Sequence, residues 1–143
     1  MLQLILSAEQ DVYVLFDFCN EGKDNLIAKW ADKERLTKRD RTTLDVKFDA
    51  LALHGTSLIP KLLAPVENQP GIFKLRIHTD RALRPMLCKG TVRMEEEFTI
   101  LLGTIEENGT LRPPASQATM NRNKLLADSK RRVKHERFGK KSA

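Results

Sequence analysis

Residues 71–89 constrain the fold most, because apolar and cationic residues alternate along the first half of this stretch. The alternating residues are Phe73, Lys74, Leu75, Arg76, Ile77 and His78. Successive side chains of a β-strand point to opposite faces, so this period of two predicts a half-buried strand. The apolar side chains enter a core, and the others line up outside it. We expect a sheet whose open face bears a row of cations.

Three further strands and a turn are predicted from local composition. Residues 12–19 are rich in β-branched and aromatic side chains, which favours a first strand. A second apolar run after Asp80 carries Arg84, and residues 98–103 form a third. Asn108 followed by glycine predicts a turn. The pairing of residues 2–6 stays open.

Helices are predicted between these strands and after them. Asp24 or Asn25 can cap a first helix, and Thr37 can cap a second one, whose end Gly55 marks as a left-handed cap. A last helix opens at Pro113. Their predicted core residues are Leu26, Trp30, Leu44, Phe48 and Leu51. The expected fold class is α+β, with a twisted, mainly antiparallel sheet, an N-terminal helical hairpin and a C-terminal helix.

Positive charge is concentrated near the C-terminal end of the sequence. The 143 residues carry a formal net charge of +6, and residues 112–143 hold ten Lys or Arg against two Asp or Glu. We predict one domain, residues 1–128, and a basic tail, residues 129–143, that is flexible or ordered by a partner. Nucleic acid is the first partner that such charge suggests, and a tail that only promotes solubility is the alternative.

Several classes of site are excluded by what the sequence lacks. Cys19 and Cys88 lie in apolar runs, so they are predicted to be buried thiols of a reducing compartment. The three histidines are far apart, and no zinc motif, Walker loop or dinucleotide fingerprint is present. The apolar residues 1–6 are too few for a secretion signal, and no apolar run could cross a membrane. We predict a cytoplasmic protein without metal, cofactor or membrane partner.

The cations of the alternating segment suit phosphate chemistry. They are Lys74, Arg76, His78, Arg81 and Arg84. Cleavage of RNA needs a base for the 2′-hydroxyl, positive charge at the phosphate and an acid for the leaving oxygen. Clustered Lys and Arg supply the charge, and a histidine or a lysine with a lowered pKa supplies the proton transfers. The alternative is a solvated sheet face without chemistry.

The order of these features over roughly residues 12–127 resembles the RelE/HigB toxin superfamily, and its phage-associated branch above all. The motifs that carry the resemblance are His54-Gly55, the segment Gly71-Ile-Phe-Lys-Leu-Arg-Ile77, the strand with Arg84, Phe98-Thr-Ile-Leu-Leu-Gly103, and the helix from Pro113-Pro114 to Ala118. The resemblance implies a RelE-like fold and a ribosome-dependent mRNA endoribonuclease, the toxin of a type II toxin–antitoxin pair. Its partners would be a cognate antitoxin, the ribosome and mRNA.

The resemblance also implies roles for individual residues. Lys74, Arg76 and Arg84 match basic catalytic positions, and His135 stands where active members place a C-terminal His or Tyr. Residues expected to bind nucleic acid are His78, Arg81, Arg131, Arg132, Lys134 and Arg137. Two alternatives remain: a catalytically silent RelE-fold protein that binds RNA, the ribosome or a protein, and a gyrase-inhibiting toxin of the same fold.

Overall fold

The computed structural model describes residues 12–21 and 23–141, so the undecided pairing of residues 2–6 lies outside the described residues. The strands are β1 (Val14–Phe18), β2 (Leu63–Pro65), β3 (Phe73–Leu75), β4 (Ile77–His78), β5 (Ala82–Leu83), β6 (Met86–Lys89), β7 (Glu97–Leu102), β8 (Ile105–Glu107), β9 (Thr110–Arg112) and β10 (Arg132–Lys134). The helices are α1 (Leu26–Lys33), α2 (Lys38–His54), α3 (Ser116–Ala127) and the single turn α4 (Phe138–Lys141), and Gly55–Leu58 forms a 3-10 turn.

The strands form two sheets, and the predicted α+β class is confirmed. The larger sheet has the order β10-β1-β7-β6-β3-β2, and the smaller one has the order β4-β5-β8-β9. Neighbouring strands are antiparallel except for β1 and β7, which run parallel. A parallel pair needs a long crossover between its strands. Here the helical hairpin, β2–β6 and their loops lie in that interval.

The predicted row of cations is divided, because the chain passes from one sheet to the other inside the alternating segment. β3 belongs to the larger sheet and β4 to the smaller, with Arg76 between them. The same transfer occurs at Arg84 and Pro85 between β5 and β6, and at Gly103 and Thr104 between β7 and β8. The backbone N–H of Arg84 donates to the carbonyl of Thr104 at 2.8 Å, which joins two of these corners.

The starts of α1 and α2 follow the predicted caps, whereas α3 begins at Ser116 and not at the predicted Pro113, because β9 runs to Arg112 and the two prolines belong to the connection. The Asn25 side chain accepts from the backbone N–H of Ala28 at 3.2 Å, which selects Asn25 over Asp24 as the cap of α1. Thr37 and Asp40 form a reciprocal capping box at the start of α2. Gly55 has a positive φ of 53°, which favours glycine, but its ψ of −131° differs from that of the predicted left-handed helical cap.

The two faces of the larger sheet are covered by different helices. On one face Trp30 of α1 and Leu44 and Phe48 of α2 pack in one core cluster. The sheet contributes Leu75 and Phe98 to the same cluster. On the other face Ala118 and Leu125 of α3 pack in a second cluster, to which the sheet contributes Met86 and Leu101. A Cβ on Gly103 would lie 2.0 Å from the Trp30 ring, so only glycine lets this ring lie on the backbone there. In the described part of the chain no helix is long and apolar enough to cross a membrane.

The segment after α3 is part of the fold, which corrects the prediction of a flexible or partner-ordered tail. β10 pairs with β1 in antiparallel register, with Val133 opposite Asp17. The Phe138 side chain is only 4% exposed, and the backbone N–H groups of Phe138 and Gly139 donate to the Asp45 carboxylate at 2.8 and 3.0 Å. The physical reason is that Phe138 buries its ring although the segment is charged, and the edge of β1 offers free hydrogen-bonding groups.

Candidate nucleic-acid interface

Lys74 and Arg76 lie at the β3 side of the larger sheet. Lys74 is half-buried and alternates with Phe73 and Leu75, which face the helical hairpin, so its side chain faces the α3 side. The Arg76 side chain is exposed, and its Nη1 donates to the carbonyl of Pro60 at 2.9 Å. Among the described residues neither cation forms an ion pair. Both could therefore meet a phosphate.

Arg84 is buried, which corrects the prediction of an exposed cation on the strand face. The residue is 6% exposed. Its Nε donates to Glu106 at 3.2 Å, and its Nη1 donates to the carbonyls of Ile77 and Leu83 at 3.3 and 3.1 Å. A guanidinium in this position holds the corner between the two sheets. It has little capacity left to stabilise a phosphate.

His135 is fixed against the fold beside β10. Its backbone N–H donates to the carbonyl of Leu15, and its Nδ1 lies 2.8 Å from a carboxylate oxygen of Asp17, whose other oxygen accepts from Asn25 at 2.9 Å. The imidazole side chain is 7% exposed and lies edge-on to the Phe48 ring. Its Nε2 is buried without a hydrogen-bond partner in the described part of the chain. In this position the ring is closed to a substrate.

The residues predicted to be catalytic do not meet in one site. In the larger sheet four strand spacings separate β10, next to His135, from β3, which carries Lys74. At about 4.8 Å per spacing, this is roughly 19 Å. One scissile phosphate with its attacking and leaving oxygens spans only a few ångströms. Lys74 and His135 therefore cannot act on the same bond in this structure.

Half of the six residues predicted to bind nucleic acid have acidic partners. Arg81 pairs with Glu34 at 2.9 Å, Arg132 pairs with Glu97 at 2.8 Å, and Arg137 pairs with Asp49. Arg132 also lies over the Phe16 ring, 3.8 Å from its centroid. Burial would raise the pKa of Glu97, but the hydrogen bond from Arg132 lowers it below its usual value. His78 and Lys134 remain exposed, while Arg131 faces a groove described next.

A groove of about 720 Å³ lies between the loop after β1, the end of α3 and the start of β10. We call it the basic groove. Its lining residues are Cys19, Asn20, Glu21, Lys23, Lys124, Ala127, Asp128, Lys130, Arg131 and Val133. The groove exists because β10 pairs with β1 and thereby brings the end of α3 and the residues that follow it next to the loop after β1. Two parts of the chain that are remote in sequence, residues 19–23 and 124–133, thus form one surface.

Cations dominate the electrostatics of the basic groove. Lys23, Lys124, Lys130 and Arg131 line it against only two acidic residues. The three lysines are exposed, and within the described ranges 12–21 and 23–141 none of the four cations forms an ion pair. The Asp128 carboxylate accepts from the backbone N–H of Lys130 at 3.1 Å. The groove thus keeps a positive potential that suits an anionic partner.

Part of the lining of the basic groove is apolar and uncharged. Cys19, Ala127 and Val133 contribute small side chains to this part, which we call the floor. Burial, followed by the nearby Asp17 carboxylate, raises the pKa of the Cys19 thiol, so the thiol stays neutral at pH 7. At one wall, the Arg131 guanidinium carbon lies 5.1 Å from the centroid of the Phe18 ring. Cations around an apolar floor are typical of sites that bind nucleotides or nucleic acid.

Sequence reasoning found Arg131 but missed its companions Lys23, Lys124 and Lys130. The concentration of charge after residue 112 pointed to the right region for two of these lysines. Lys23 gives no such signal, because its approach to the groove depends on the pairing of β1 with β10. Among the described residues, no group of three or more His, Cys, Asp or Glu side chains is placed to hold a metal ion.

Comparison with known proteins adds no relative. The chain matches no family model, no curated protein and no solved structure at a significant level. The structure therefore defines a class, a mixed α+β protein with a basic groove at one edge of its larger sheet.

Proposed function

We propose that this chain binds RNA through the basic groove and does so as a catalytically silent protein with a RelE-like fold. The observation that carries the proposal is the convergence of Lys23, Lys124, Lys130 and Arg131, none of them in an ion pair within the described residues, around one apolar floor. Phosphates release counterions when such cations neutralise them, and this release supplies most of the affinity of non-specific binding.

The RelE-like arrangement is part of this proposal. It is supported by the chain order of a first strand, a helical hairpin, antiparallel strands and a helix that covers the opposite face of the sheet. The motif at Gly55 lies at the end of α2, and the motif in residues 71–77 runs from the loop before β3 to the start of β4. A cognate antitoxin or the ribosome as partner remains a prediction from the resemblance.

The endoribonuclease toxin is the rival function, and the geometry supports it less well. Its four predicted catalytic residues are divided among the end of β3, a buried corner and a buried histidine. Lys74 and Arg76 alone could bind a phosphate, but His135, the predicted acid or base, is four strand spacings away. The basic groove, whose four cations form no ion pair within the described residues, lies at the other edge of the larger sheet.

RNA binding is tested by titrating a fluorescent single-stranded RNA at several salt concentrations. If all four cations meet phosphates, the slope of log affinity against log salt should be about −2.8, at about −0.7 per phosphate on a single strand. Lys124→Ala and Lys130→Ala should each make the slope shallower by about 0.7. Arg39→Ala is the matched control, because Arg39 is an exposed cation on α2, outside the basic groove. Equal slopes for all variants would remove the basic groove from the proposal.

The proposed lack of catalytic activity is tested by expressing the chain alone in bacteria and mapping translated mRNAs by primer extension. We expect intact messages, with or without a slowing of growth. Cleavage that Lys74→Ala abolishes and Lys124→Ala leaves unchanged would establish the endoribonuclease instead. Growth arrest without cleavage, accompanied by inhibition of DNA supercoiling by gyrase, would establish the gyrase-inhibiting toxin.

A further inference from the structure

We infer that the basic groove takes one unpaired nucleotide of an RNA strand, with its base on the apolar floor and the adjacent phosphates on the surrounding cations. This inference rests on the proposed function and specifies its ligand. It goes further because cations alone would bind any nucleic acid, whereas the floor requires a base that is free of its partner strand.

The size and composition of the groove support this occupant. At about 720 Å³ it lies within the range of about 300–1,000 Å³ that is usual for small-molecule sites. Its floor consists of the small side chains of Cys19, Ala127 and Val133, and Val133 is 47% exposed. If only phosphates bound to the surrounding lysines, this apolar surface would stay exposed to water. A planar base would cover it and remove apolar surface from water.

Arg131 provides a second planar surface beside this floor. One side of its guanidinium lies over the Phe18 ring, which is 1% exposed, and the residue also borders the groove. Its Nε is buried and has no hydrogen-bond partner in the described part of the chain. A guanidinium held over an aromatic ring has less freedom left to lose, and unpaired RNA bases stack on guanidinium planes. The wall is therefore preorganised for a base.

The charge pattern extends beyond one nucleotide. Lys134 is exposed and lies opposite Phe16, two residues from Arg132 along β10. A strand whose base enters the groove can continue past Lys134, while Lys23 and Lys124 contact the phosphates at the other end. Arg132 does not contribute, because Glu97 already neutralises it.

Three probes of equal length separate this inference from general charge attraction: a single-stranded RNA, the same strand without bases, and a duplex. Electrostatics alone favours the duplex, since the salt slope per phosphate is steeper for a double helix. The inference predicts that the single strand binds tightest. Loss of the base should weaken binding of the abasic strand by about tenfold, the effect expected if the base removes about 55 Å² of apolar surface from water.

A pair of variants locates the effect. Ala127→Leu fills the floor and leaves all four cations in place, whereas Asn123→Leu adds the same side chain to an exposed position of α3 outside the groove. Ala127→Leu should remove the preference for RNA with bases and leave the affinity for the abasic strand unchanged. Asn123→Leu should change neither, and circular dichroism checks that both variants fold.

The outcomes distinguish the two proposals. Equal affinity for normal and abasic strands, with the salt slope intact, would overturn the bound nucleotide and leave RNA binding standing. A duplex that binds as tightly as the single strand, or an Ala127→Leu protein that behaves like Asn123→Leu, would do the same. No measurable binding to any probe would overturn both.

Discussion

Arg84→Ala should destabilise the protein strongly, although Arg84 was predicted to be an exposed cation with a purely functional role. The substitution removes hydrogen bonds to the carbonyls of Ile77 and Leu83 and the pair with Glu106. Hydrogen bonds to charged groups contribute about 1.5–3 kcal/mol each, and a buried acceptor without its donor adds its own cost. The Glu106 side chain is 35% exposed, so that pair contributes less.

The expected net loss is about 3 kcal/mol of unfolding free energy, because the gain from no longer burying a charge offsets part of the broken bonds. For a chain of this size, 1 kcal/mol corresponds to about 3 °C, so Tm should fall by roughly 10 °C. Thermal and urea unfolding followed by circular dichroism measure it. Arg76→Ala is the control: the residue is exposed with a single hydrogen bond, to Pro60, and should cost under about 1 kcal/mol. A Tm of Arg84→Ala within 3 °C of the parent value would refute the conclusion that Arg84 holds the corner between the two sheets.

The remaining predictions concern the C-terminal segment, a helix cap and the thiols. Deleting the residues after Asp128 should lower Tm by more than about 10 °C, because β10 and the buried Phe138 leave with them; an unchanged Tm would restore the flexible tail. Although burial alone would raise it, hydrogen bonds from Thr79 and Thr37 hold the pKa of Asp40 below its usual value, so its stabilisation is present above about pH 4 and is lost as the pH falls. Thr37→Ala should lower the free energy of unfolding by about 1 kcal/mol at pH 7. Urea unfolding at pH 7 and pH 3 should show that this variant loses less stability on acidification than the parent protein does. Burial raises the pKa of Cys88 to about 11, so a thiol reagent at pH 8 should modify it only after unfolding; rapid modification of the folded protein would contradict its burial.

The features that sequence predicts well are local ones. Thr37 and Asp40 form their capping box within one helical turn, and the turn at Asn108 and Gly109 has the two positive φ angles, 53° and 77°, of a tight hairpin. Such features depend on residues within four positions of each other. Their energetics are therefore visible in the sequence alone.

The features that sequence predicts poorly depend on distant pairing. Arg84 belongs to an apolar run, but its acidic partner Glu106 is 22 positions away, and only the corner between the sheets brings them together. His135 and Asp17 are 118 positions apart. The basic groove depends on the same long-range pairing, so its lysines were seen as scattered charge. Composition located the region, and the topology determined which charges are free.

The position of β10 beside β1 also affects how the protein is made. The last strand of the sheet is the one that covers the first, so a nascent chain shorter than residue 132 exposes the edge of β1 throughout its synthesis. Such an edge is a template for pairing with another chain. In that interval Asp17 also lacks the imidazole that it later contacts. Newly made chains therefore depend on residues 132–134 to escape association with one another, and translation that stops before them should yield aggregates rather than a shortened working protein.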